Sequence, residues 1–83
     1  MQLYLEIDTT EVDEFYRRIA LNVKKFRLEK NVSQMELALS IGHKSVSFIG
    51  KIEAGLENKH YNIENLYKIA KILDVNICEF FNT

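Results

Sequence analysis

Between Val12 and Phe26, the apolar residues Val12, Phe15, Tyr16, Ile19, Ala20, Val23 and Phe26 recur at spacings of three and four. That period lays them along one stripe of an α-helix and along no single face of a strand. A long early segment is therefore committed to helix. Thr10 is placed to cap its start, and Glu11, Asp13 and Glu14 lie where the positive end of the helix dipole favours acids. The helix is expected to stop near Lys30-Asn31, because asparagine tolerates the left-handed conformation that closes helices.

New start signals follow at once. Ser33-Gln34-Met35-Glu36 is a capping box, in which serine accepts from the third amide and glutamate reaches back to the first. Leu37, Ala38 and Ile41 give this short second helix its apolar stripe, and Gly42 ends it. A third helix is expected from Ser45 to Glu53 with Ile49 and Ile52 inward, closed by Ala54-Gly55. After a polar loop over 56–62, Asn62 caps a fourth helix carrying Ile63, Leu66, Ile69, Ala70 and Leu73, which Asp74 breaks. Asn76-Ile77-Cys78-Glu79 repeats the capping pattern ahead of Phe80 and Phe81, predicting a fifth helix. At the other end, Leu3, Leu5 and Ile7 alternate with Tyr4, Glu6 and Asp8, the period of a short strand. The expected architecture is an all-α domain of five helices over 10–83, preceded by an extension over 1–9.

Eighty-three residues suffice for one small domain, and a 47% hydrophobic content is enough to give it a core. The lone cysteine, Cys78, excludes an internal disulfide framework and fits a reducing compartment; it is expected to be a small buried hydrophobe. No apolar run is long enough to span a membrane and no signal peptide is evident, so a cytoplasmic location is expected. The chain ends at Thr83, directly after the fifth helix, and a separate C-terminal domain is not expected. The net charge of −1 conceals a segregation. Residues 1–16 hold five acids and no base, whereas residues 17–51 hold eight bases against Glu29 and Glu36. For nucleic-acid binding the local field outweighs the total.

Two short helices around a glycine-containing turn, with small polar and basic residues on the second, form a helix-turn-helix pattern. The residues Phe26-Arg27, Val32-Ser33-Gln34-Met35-Glu36-Leu37-Ala38, Ile49-Gly50-Lys51-Ile52-Glu53-Ala54-Gly55 and Leu66-Tyr67-Lys68-Ile69-Ala70-Lys71-Ile72-Leu73-Asp74-Val75 carry a family likeness. Over roughly residues 19–81 the chain resembles the Xre/Cro-like phage-repressor helix-turn-helix family, whose DNA-binding domain is lambda-repressor-like. The resemblance implies that Gln34 contacts a DNA phosphate at the start of the second helix, and that Arg27 and Glu53 form a structural ion pair. It places Ser45, Val46, Ser47 and Lys51 at base-contacting positions, and Lys44, Asn58, Lys59 and His60 near phosphates. Lysine suits guanine O6 and N7, serine several base edges, and valine a thymine methyl.

The chain departs from the common pattern. One extra residue near His43-Lys44 lengthens the turn and leaves the register at 43–46 open by one position. Gly50 replaces a small polar residue, a proline often found before the fourth helix is missing, and Asp74 stands where glycine is common.

Other motifs point to ordinary structure. His43 and His60 have no ligand cluster at metal spacing and are expected to be exposed loop residues. Gly42 and Gly50-Lys51 fail the spacing of a phosphate loop, and the acids of 6–14 are expected to serve as a helix start. No nucleophile with a base and no carboxylate pair emerges, so neither enzyme activity nor a metal or other cofactor is expected.

The resulting expectation is a sequence-specific, double-stranded-DNA-binding transcriptional regulator, a repressor, acting as a homodimer on a near-palindromic operator. Leu3, Leu5 and Ile7 are candidates for a dimerisation strand. An antitoxin with a small toxin partner, a restriction-modification controller protein, and an interaction module that has lost DNA contact are the alternatives with the same fold.

Overall fold

The computed structural model describes residues 6–82. The first helix, α1, spans Thr9–Glu29. Its cap is Asp8 rather than Thr10: the Asp8 carboxylate accepts from the Thr10 amide at 2.8 Å. Asp8 adds a negative charge at the dipole's positive end, which a threonine cannot. The remaining helices are α2, Gln34–Ser40, α3, Ser47–Ala54, and α4, Ile63–Leu73.

All four helices end in the same way. Asn31, Gly42, Gly55 and Asp74 take left-handed φ values of 58°, 87°, 73° and 54°. The amide just beyond each of them donates back to the preceding helix: Val32 to Arg27, His43 to Ala38, Leu56 to Lys51 and Val75 to Ala70. This double-bonded closure satisfies carbonyls that a helix end otherwise leaves open. Asp74 thus adopts a conformation that glycine takes most readily.

Starts are less uniform. The expected capping box forms at α2, with Ser33 Oγ accepting from Glu36 N and Glu36 accepting from Ser33 N, both at 3.0 Å. Asn62 and Asn65 make a second reciprocal box at α4. α3 begins at Ser47, two residues later than expected, because Ser45 Oγ accepts from Ser47 N at 3.1 Å and folds 45–46 into the turn.

The fifth element is a 3-10 turn, Ile77–Phe81, not an α-helix. Asn76 accepts from Cys78 N at 2.9 Å, one residue too early for a capping box, and Glu79 turns away to Asn82. Tertiary contacts favour the tighter winding. Phe80 is fully buried, and Asn22 of α1 donates to the carbonyls of both Phe80 and Asn82 at 2.9 and 2.7 Å. Cys78, expected in the core, is exposed beside it.

The core gathers Ile19, Ala20 and Val23 of α1, Leu37, Ala38 and Ile41 around α2, and Ile49 and Ile52 of α3. Tyr61, Leu66, Ile69, Ala70, Leu73 and Phe80 complete it. The apolar stripe of α1 is buried only from Ile19 onward. Val12 and Phe15 remain 40% and 48% exposed because the first turns of α1 run past the other helices, where Phe81 stacks on Phe15. Ile63, expected in the α4 stripe, is exposed. Of the expected N-terminal strand, Leu3 and Leu5 lie outside the described residues. Glu6–Asp8 form no strand, and Ile7 is 61% exposed.

Candidate nucleic-acid interface

α2, the turn through Gly42 and α3 form one continuous unit, held from behind by α1. Arg27 of α1 makes a bidentate ion pair with Glu53 near the end of α3, Nε to Oε2 at 2.7 Å and Nη2 to Oε1 at 2.9 Å. Its third hydrogen bond goes from Nη1 to the Val32 carbonyl at 2.8 Å. Gln34 Nε2 donates to Glu53 Oε1 at 2.9 Å. The carboxylate therefore ties three segments together: α1, the first turn of α2 and α3. Both charged side chains are buried, at 8% and 3% exposure, and the pairing is what makes that tolerable.

A second clamp lies about three turns earlier on α1. Arg17 Nη1 donates to the carbonyls of Glu53 and Ile52 at 2.8 and 3.4 Å, capping α3's negative end. Composition placed Arg17 in a general basic field; its neighbour Gly55, where an added Cβ would lie 3.2 Å from Arg17 Nη1, is the one sequence sign of close approach. Arg27 is thus occupied inside the fold, and Arg17, though exposed, is occupied at the end of α3.

The expected base-contacting residues lie on α3 and in the turn just before it. Ser45 and Ser47 are exposed and share a hydroxyl–hydroxyl bond of 3.0 Å, while Val46 is half-buried. Lys51 Nζ pairs with Glu57 at 2.8 Å. That pairing holds the Glu57 carboxyl below the usual carboxylate range, with Lys59 adding to the field. Gly50 faces Gln34, and a Cβ there would sit 3.6 Å from Gln34 Oε1, an ordinary contact. Lys44 is exposed in the turn.

Of the residues placed near phosphates, Gln34 is half-buried and held by Glu53. Asn58, Lys59 and His60 are exposed in the loop after α3. Glu57 and Asn58 both have positive φ, 58° and 51°, a conformation that costs a non-glycine residue about 1–2 kcal/mol. His60 is not a free loop side chain: its ring stacks on Tyr16 at 3.7 Å, and Nδ1 lies 3.2 Å from the Asn58 carbonyl. His43, by contrast, is half-buried, and it stacks on Phe48 at 4.0 Å. Behind them Tyr61 is buried, and its hydroxyl has no partner among the described residues. Burial, with Glu53 nearby, pushes that phenol well above its usual range.

A short helix, a turn and a second helix clamped at its back with its polar side outward define a helix-turn-helix protein. The helix-turn-helix family model matches residues 23–80, and the chain belongs to this Xre/Cro-like family. It is accordingly a DNA-binding transcription regulator. No curated protein is similar enough to match it. Among the described residues, no helix is long and apolar enough to cross a membrane, and no group of three His, Cys, Asp or Glu side chains could hold a metal ion.

Proposed function

We propose that the protein is a sequence-specific repressor that binds double-stranded DNA as a homodimer on a near-palindromic operator, with α3 in the major groove. The observation that carries this reading is the double clamp on α3: Arg17 holds its C-terminal carbonyls and Arg27 its Glu53. Such clamping fixes the helix that holds Ser47 and Lys51, with Ser45 and Val46 in the turn just before it. In the groove, Lys51 donates to guanine O6 or N7, Ser47 bonds a base edge and Val46 packs on a thymine methyl. Gln34, Lys44, Asn58, Lys59 and His60 position the domain on phosphates. Gln34 keeps one amide hydrogen beyond the one given to Glu53.

A short recognition helix reads only a few base pairs, so two copies related by a two-fold axis supply the remaining specificity. The extension that contains Leu3, Leu5 and Ile7 is the proposed dimer contact. Support comes from the exposure of Ile7 beside Val12 and Phe15, an apolar area that the described residues leave open. Repression then follows from occlusion of a promoter by the bound dimer.

Selection from a random duplex pool at near-physiological salt tests the reading, because non-specific phosphate binding fades there. The expected result is enrichment of an inverted repeat with half-sites about one helical turn apart. A folded protein that enriches no sequence would overturn it.

A further inference from the structure

The side of α3 presented outward carries an acid as well as a base. Glu57 lies just past α3, in the loop that also holds Asn58, Lys59 and His60, and its carboxylate is 2.8 Å from Lys51 Nζ. The loop reaches this position through two consecutive non-glycine residues in the left-handed region, Glu57 itself and Asn58. It is closed by Leu56 N donating to Lys51 O at 2.9 Å and Lys59 N to Leu56 O at 3.2 Å. Backbone and side chain therefore both bind this loop to the residue expected to read a base. An acid at a phosphate-facing rim opposes DNA affinity, so its placement against Lys51 requires a different account.

We infer that Glu57 is a specificity-determining residue that directs Lys51 toward base edges and away from phosphates. The inference rests on the DNA-binding reading above. Lys51 has three N–H donors, of which Glu57 takes one and leaves two for acceptors ahead of it. A phosphate that approaches Lys51 also approaches the Glu57 carboxylate and is repelled by it. Guanine O6 and N7 are neutral acceptors and meet no such repulsion. The pair thus lowers the affinity of Lys51 for any backbone while retaining its affinity for one base edge. Discrimination between partners rests on penalising the wrong one as well as favouring the right one. Lys59 lies close enough to act on the Glu57 charge and is not its hydrogen-bond partner, so it remains available to the backbone.

The test uses fluorescence anisotropy over a salt series, with the most enriched selected duplex and a scrambled duplex of equal length. Glu57→Gln removes the charge at an exposed site and is expected to leave the circular dichroism spectrum and melting curve unchanged. It should tighten binding to the scrambled duplex by about 3–10-fold and steepen its log–log salt slope by about 0.9, the signature of one more neutralised phosphate. The ratio of selected to scrambled affinity should fall by a similar factor. In a Lys51→Met background, Glu57→Gln should leave that ratio unmoved, because the effect passes through Lys51. Scrambled binding no tighter than wild type, or the same change of ratio in both backgrounds, would overturn the inference while leaving the DNA-binding reading intact. Wild-type protein that binds neither duplex would overturn the reading itself, and this inference with it.

Discussion

Replacing Arg27 by methionine tests the central claim about how this fold holds its recognition helix. Arg27 makes three short hydrogen bonds, two to Glu53 and one to the Val32 carbonyl. Methionine fills much of the aliphatic stem's volume but returns none of these bonds. Glu53 would keep only the Gln34 amide at a site where its side chain is 3% exposed. Breaking a buried pair by removing one partner typically costs about 3–5 kcal/mol, mostly from the charge left uncompensated. A domain of 83 residues has a total stability of only about 4–12 kcal/mol, so the variant should lose a large fraction of it. Urea denaturation followed by circular dichroism gives the loss directly, and the midpoint of thermal melting should fall by upwards of about 12 °C. The double variant Arg27→Met with Glu53→Met separates the charge from the packing. It should recover most of the lost stability, because an apolar pair of similar volume leaves no buried charge. A loss below about 1 kcal/mol in the single variant, or a double variant no more stable than the single, would refute the reasoning.

Three further outcomes follow from local geometry. Gly50→Ala should stabilise the domain by about 0.5–1 kcal/mol in urea denaturation, since a helical glycine is replaced where the new methyl meets only Gln34 Oε1 at 3.6 Å. Tyr61→Phe removes a buried hydroxyl with no partner, so stability should be unchanged or rise by up to about 1 kcal/mol; a clear loss would reveal a bond to that oxygen. Glu36 is held below its usual range first by the Ser33 backbone amide and then by the Ser33 side chain. A depressed folded-state value means that its stabilisation is complete above the ordinary carboxylate pKa and is lost as pH falls through the lowered one. Glu36→Gln should therefore flatten the acid limb of a stability–pH curve by lowering its neutral plateau toward the acid-side value.

The helices were legible because their signals are local. Ser33 and Glu36 meet within one turn, and Asn31, Gly42, Gly55 and Asp74 close helices through bonds spanning five residues. The Asn76–Glu79 pattern failed for the converse reason. The same local signal competed with Phe80's burial and with Asn22's hold on the carbonyls of that turn, and the distant contacts prevailed. Val12 and Phe15 follow the helical period faithfully, yet periodicity cannot say how far a helix extends past its neighbours.

The chain's own order of residues determined that it is helical, where each helix begins and ends to within a residue or two, and which stretch forms the helix-turn-helix. Those properties depend on hydrogen bonds and side-chain spacing within a few residues, which a linear sequence displays. Tertiary structure alone decided what each charge does. Arg17, Arg27 and Lys51 look alike in a basic segment, but the fold sends the first to α3's last carbonyls, the second to buried Glu53 and the third to Glu57 at the surface. A charge's role is set by its partner and its burial, and both are supplied by residues far away in the chain.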